Sequence, residues 1–227
     1  GGEVPRPSVP EIWNINQPIL TCRISESSPL SGKTREEVFS GNPHGLFLLA
    51  IRDGDDIQVA PSRWFRFEPG QELAILGPKE GFEQFARKTG CIPAGETGSF
   101  AEILTGGGYG FAELVVRPRA SIIGKTPREI MFRKTFAIEP IVHVRGETET
   151  RADFSDMPLA AGDIIVAFGS WENLRVLARH TDLQLISQPE GDPVHYRKGF
   201  LAVLIFASSL ALTLTGVPLS LALLTGA

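Results

Sequence analysis

Ser31-Gly32-Lys33-Thr34-Arg35-Glu36-Glu37 and Ile123-Gly124-Lys125-Thr126-Pro127-Arg128-Glu129 are two versions of one stretch, set 92 residues apart (Gly32 to Gly124). The offset persists downstream without a gap. Gly54 matches Gly146, Gly70 matches Gly162, Gly77 matches Gly169, and Ala86-Arg87 matches Ala178-Arg179. A duplicated module of roughly 70 residues therefore fills most of the chain, and such self-similarity decides the fold before any single motif does. Modules this small bury little surface per residue, so the copies are expected to pack on each other or on a partner chain.

Gly-Lys-Thr invites a phosphate-loop reading. That loop needs another glycine five positions earlier, so that backbone amides wrap the phosphates. Ser27 and Arg119 stand there instead. Thr34 with Glu37 and Thr126 with Glu129 have the spacing of a capping box. In that motif the threonine hydroxyl accepts from the amide three residues on and the glutamate reaches back. Pro127 suits a first helical position, where its missing N–H costs nothing. These residues read as structural helix caps, not as chemistry.

The pattern around the caps repeats. Ala112, Leu114 and Val116 alternate with Glu113, Val115 and Arg117, as in a half-buried strand. A short helix follows the cap. Leu46–Ile51 with Ile57–Ala60, and Ile138–Val144 with the region near Arg151, read as strand pairs. Gly54 and Gly146 supply their tight turns. Leu73–Leu76 and Ile164–Phe168 read as buried strands. Phe82, Phe85 and Ala86, or Leu174, Leu177 and Ala178, mark one face of a closing helix. The expected order is β-α-β-β-β-α in each copy, an α+β fold with a mostly antiparallel sheet.

The chain divides accordingly. Residues 1–18, with Pro5, Pro7, Pro10 and Pro18, read as a linker; 19–90 as the first domain; 91–110 as a Gly-rich linker; 111–187 as the second domain; 188–197 as a neck. From Gly199 to Ala227 no residue is charged. A helix needs about 20 apolar residues to cross a bilayer core, and 198–227 is long enough for a transmembrane segment. Pro218 favours one span followed by the start of a second. Arg197 and Lys198 before the span place residues 1–197 in the cytoplasm of a cell (inner) membrane protein by the positive-inside rule. The chain opens without methionine and stops inside the apolar run, as an interior slice of a longer protein would.

The 227 residues carry a net charge of −4, with acids and bases interspersed, which argues against a nucleic-acid partner. Cys22 and Cys91 occupy non-equivalent places, form no C-x-x-C pair, and read as reduced thiols in a cytosolic setting. His44, His143, His180 and His195 are scattered, without metal-ligand spacing. The glycines at 106–110 lack the dinucleotide-binding spacing and read as a flexible linker. Trp171 is either a partner-facing aromatic or a half-exposed packing residue. No catalytic residue, metal or cofactor is expected, and the chain does not read as an enzyme.

Phe111-Ala-Glu-Leu-Val-Val-Arg-Pro-Arg-Ala-Ser-Ile-Ile-Gly-Lys-Thr-Pro-Arg-Glu-Ile and Leu159-Ala-Ala-Gly-Asp-Ile-Ile-Val-Ala-Phe-Gly resemble the C-terminal domain of the regulator of K⁺ conductance (RCK_C, or TrkA-C). The first copy resembles it through Gly32-Lys33-Thr34 and Phe67-Glu-Pro-Gly-Gln-Glu-Leu-Ala-Ile-Leu-Gly. Two such domains followed at once by a membrane segment resemble the cytosolic insert of bacterial divalent anion:sodium symporter (DASS) permeases. The resemblance implies a regulatory and dimerising cytosolic module, a homodimer through the RCK_C-like domains, contact with the lipid bilayer through 198–227, and a small-molecule ligand. The transporter would be a sodium-coupled sulfate or di/tricarboxylate permease; a K⁺ or other cation system, or an aspartate:alanine-type exchanger, is the alternative. Relatives bind cyclic di-AMP with an Arg after the first helix and an Asn further on. Arg133 matches that Arg, making it the candidate ligand-binding residue. Glu139 stands at the Asn position and Gly41 replaces the Arg in the first copy, so cyclic di-AMP fits this chain poorly.

Overall fold

Strand β1 (Ile19–Ile24) lies between β4 (Glu72–Leu76) and β5 (Cys91–Glu96), and its counterpart β6 (Tyr109–Val116) lies between β9 (Ile164–Ser170) and β10 (Leu183–Leu185). The computed structural model describes residues 8–96, 98–101, 107–151 and 153–187. With β2 (Phe47–Asp53), β3 (Asp56–Val59), β7 (Ile138–Arg145) and β8 (Thr148–Thr150), the strands form two antiparallel five-stranded sheets, ordered β3-β2-β4-β1-β5 and β10-β6-β9-β7-β8. The second order is the first read backwards, strand for equivalent strand. Register agrees too: Ile19 faces Leu76 in one sheet and Phe111 faces Phe168 in the other, each pair shifted by the repeat offset. The fold is α+β.

The tight turns follow the glycines. Gly54 and Gly146 close the β2–β3 and β7–β8 hairpins at φ of 57° and 59°, a region that costs a side chain and costs glycine little. Each sheet buries one face under its own helix. Phe82, Phe85 and Ala86 of α3 (Lys79–Thr89) pack with Cys22, Leu73 and Ile75. Trp171, Leu174 and Leu177 of the last helix (Trp171–Ala178) pack with Leu114, Ile165 and Ala167.

The other faces meet each other. Leu49 and Leu76 from the first sheet join Ile141, Val142, Val166 and Phe168 from the second in one apolar layer. Leu49 and Ile141 are repeat equivalents, as are Leu76 and Phe168, so the copies are related by a local two-fold within a single chain. Burial of each such side chain contributes roughly 1.5–3 kcal/mol.

Three expectations need correction. Residues 8–16 are not a bare linker: Ser8 and Glu11 form a capping box on α1 (Val9–Ile12), and Val9 and Ile15 are buried in the layer between the sheets. The segment 91–110 is not a linker throughout. Cys91–Glu96 is an edge strand, Phe100 is buried against Ala50 and Ala74, and β6 begins at Tyr109. Each copy thus reads β-α-β-β-β-α-β, one strand longer than expected. Trp171 is 3 % exposed and belongs to the core, so it faces no partner.

The neck at 188–197 and the expected membrane segment 198–227 lie outside the described residues. Among the described residues no helix is long and apolar enough to cross a membrane.

Candidate functional site

Both capping boxes close. The Thr34 amide donates to Glu37 Oε2 at 2.6 Å and the Glu37 amide to Thr34 Oγ1 at 3.3 Å. The Thr126 amide donates to Glu129 Oε2 at 2.7 Å and the Glu129 amide to Thr126 Oγ1 at 3.1 Å. In the first copy the cap opens α2 (Arg35–Phe39). In the second it opens a run of turns, and the helix, α4 (Phe132–Phe136), begins later, after Met131 takes a left-handed φ of 50°. The last helix, Trp171–Ala178, is α5.

These cap regions face each other across the local two-fold and enclose a groove of about 570 Å³ that opens to solvent. Its walls carry equivalent residues from both copies: Arg35 and Pro127, Glu36 and Arg128, Phe39 and Met131, Arg63 and Ser155. Glu36 and Arg128 form an ion pair with each other on the axis. Arg128 also holds Asp156 through Nε–Oδ1 at 2.6 Å and Nη2–Oδ2 at 3.1 Å. Asp156 first, then Glu36, holds the Arg128 guanidinium above its ordinary pKa against the opposing effect of burial.

An adjoining pocket, which shares Arg35, Arg133 and Asp153 with the groove, is asymmetric. Glu139 on β7 is 1 % exposed. It receives Arg35 Nη2 from the first copy at 2.7 Å, and Arg133 Nε and Nη2 from the second at 2.6 and 3.0 Å. Burial pushes the Arg35 guanidinium down to about 10, with Glu139 opposing, so it stays charged at neutral pH. Asp153 completes the cluster and accepts from the Gly41 amide at 2.9 Å across the copies. Burial tends to raise its carboxyl, but Ser155, the Gly41 amide and Arg133 together hold it below the ordinary value. The two-fold related positions hold Pro127, Phe47, Gly41 and Pro61, so only one side of the axis is ionic.

Arg133, the candidate from sequence, therefore lines the groove but is committed to Glu139. Arg63, Trp64 and Lys134 stand at the mouth. The Arg63 guanidinium lies 4.4 Å from the centre of the half-exposed Trp64 ring, and Lys134 Nζ lies 5.8 Å from it. Sequence reasoning singled out neither Arg35 nor Asp153. The available signal was Glu139 itself, a lone carboxylate inside the apolar strand Ile138–Val142. Among the described residues no group of three or more His, Cys, Asp or Glu side chains could hold a metal.

No family model matches the chain. Among curated proteins it is 33 % identical over 82 residues to the uncharacterized transporter YfbS of Escherichia coli K12, covering 36 % of this chain and 13 % of that protein. It is 25 % identical over 163 residues to sodium/sulfate cotransporter 2 of Chlamydomonas reinhardtii, covering 65 % of this chain and 18 % of that protein. The chain thus spans less than a fifth of the length of either relative. Among solved structures it is similar to the RCK_C domain dimer of S. agalactiae BusR in complex with c-di-AMP, at 20 % identity and a TM-score of 0.29 over 31 % of this chain and 93 % of that one. It is also similar to the GsuK RCK domain, at 11 % identity and a TM-score of 0.34 over 71 % of this chain and 62 % of that one. These structural likenesses are too distant to position a ligand. The chain is similar in sequence to segments of membrane transporters.

Proposed function

We propose that the chain is the cytosolic regulatory module of a membrane transporter, a sodium-coupled anion permease carrying sulfate or di/tricarboxylates. One observation carries this reading. The match to the algal sodium/sulfate cotransporter is longer than either copy, so it takes in residues of both. A match that extends beyond one copy supports reading the chain as a tandem module within a transporter. Each copy is read as an RCK_C-like domain, and the apolar segment 198–227 as the start of the membrane part.

In this reading the dimerising faces of the two domains are already paired within one chain. A homodimer would then have to use other surfaces. The groove on the local two-fold is the place for a small regulatory ligand, with Arg63 and Lys134 as the cations nearest its mouth. Cyclic di-AMP is disfavoured, because Arg133 and Arg35 are balanced by Glu139 and Asp153 and a further negative group would also meet Glu36.

Uptake of labelled sulfate, succinate and citrate by cells expressing the full-length protein tests this function. The expectation is sodium-dependent uptake of at least one anion. In the same cells Lys134→Ala, at the groove mouth, should change the rate without loss of protein from the membrane. Uptake of K⁺ with none of these anions would contradict the anion assignment. A full-length sequence with fewer than about eight further apolar spans would contradict a permease.

A further inference from the structure

Cys22 and Cys91 lie two ladder positions apart on adjacent antiparallel strands. Cys22 of β1 is opposite Pro93 and Cys91 of β5 is opposite Ile24, so both side chains point to the same face. They are free, 0 % and 5 % exposed, and belong to one core cluster. The second copy shows what packing alone requires there. The equivalents of Cys22 and Cys91 are Leu114 and Leu183, fully buried and on the same diagonal of β6 and β10. A leucine pair meets the needs of the core, yet the first copy replaces both members with thiols on the same diagonal.

The two sulfurs are not alike. Cys22 lies on β1, between β4 and β5, where the neighbouring Cys91 and burial raise its thiol; Cys91 lies on the edge strand β5. Cys91 is thus the thiol an oxidant reaches first and Cys22 the resolving thiol. Access comes through the edge strand. Only Cys91 among the six β5 residues is buried, Pro93 gives the ladder no N–H, and the β1–β5 register shifts between Thr21 and Cys22. Opening β5 uncovers Cys91 without disturbing β1, which is held on its other side by β4.

We propose that Cys22 and Cys91 form a redox-responsive thiol pair, converted by a small disulfide of the glutathione class into an intrachain disulfide that staples β5 to β1. The Cys91 thiolate attacks one sulfur of the small disulfide, forming a mixed disulfide and releasing one thiolate. Cys22, losing its proton to the released thiolate, then attacks Cys91 Sγ and expels the second. The protein loses two electrons and two protons, and the small disulfide gains them as two thiols. The staple fixes the strand from which the chain leaves the first copy toward the second, so the redox state bears on the coupling between copies.

The test is incubation of the folded, full chain in glutathione buffers of rising oxidised fraction, then acid quench, alkylation under denaturing conditions and peptide mass spectrometry. The expected result is a Cys22–Cys91 linked peptide that accumulates with oxidation and reverts with dithiothreitol. Cys22→Ala should trap the mixed disulfide on Cys91, whereas Cys91→Ala should leave Cys22 unmodified while folded. Circular dichroism establishes that each variant is folded. Two alkylated thiols at every poise in the folded wild type would overturn the proposal. So would a linked peptide that forms only after urea unfolding, or mixed disulfide on Cys22 in preference to Cys91.

Discussion

Glu36 and Arg128 hold the same place in the two copies and are bonded to each other across the local two-fold. A position on a symmetry axis meets itself, so two identical residues there would repel if charged. The chain resolves this by carrying opposite charges at the two equivalents. Glu36→Arg should therefore place three guanidiniums together, with Arg63 and Arg128, and lower stability by about 1 kcal/mol, the scale of a partly exposed pair. Glu36→Arg with Arg128→Glu should recover only part of it, because position 128 then faces Asp156, and position 36 faces Arg63, with like charge. Urea denaturation of the two variants measures the coupling.

Glu139 has a larger role because it is buried. Glu139→Ala leaves Arg35 and Arg133 without their carboxylate, and breaking a buried pair in this way costs about 3–5 kcal/mol. Glu139→Gln should cost less, since its amide oxygen still accepts. The expected signature of Glu139→Ala is faster hydrogen exchange along both β2 and β7.

Asp163 gives a pH dependence. Burial tends to raise it, but Arg145, His143 and the Ala160 amide bring it from 3.8 down to about 2. The folded value lies below the unfolded one, so its stabilisation is complete above pH of about 4 and is lost as pH falls toward 2. Thermal melts from pH 5 to 2 should show this loss, and Asp163→Asn should flatten it while melting lower at neutral pH. The first copy keeps the same link with other groups: Gln71 Nε2 donates to Asp53 Oδ2 at 3.0 Å at the equivalent positions.

Gly110 is required by contact, not by backbone. A Cβ there would lie 2.3 Å from Trp171 Cζ2. Gly110→Ala should cost about 1–3 kcal/mol through overpacking of the β6–α5 contact. Gly108→Ala, which would meet nothing within 4 Å, should be near neutral. Thermal denaturation separates the two.

Much of this architecture is legible in the repeat, because strand alternation, turn glycines and capping boxes are local signals and each is present twice. What escaped lacks such a signal. Strand β5 holds Pro93 and Gly95, and all but one of its residues are exposed, so it shows no alternation. Helix α1 is one turn among prolines, and Val9 and Ile15 become core only when both sheets are present. The ionic cluster escaped for a related reason. It joins Arg35 to Glu139 across 104 residues, and it sits where the copies differ most: Arg35 against Pro127, Phe47 against Glu139, Gly41 against Arg133. The repeat that reveals the fold is silent at the positions that break it.

The central claim is that the two copies pair within one chain. Glu36→Cys with Arg128→Cys, in a chain carrying Cys22→Ala and Cys91→Ala, measures this directly when treated with a short bis-maleimide and run on a denaturing gel. Pairing within the chain predicts a cross-linked product that keeps the mass of a single chain at every dilution. A product of twice that mass, fading on dilution and replaced by uncross-linked chain, would contradict it.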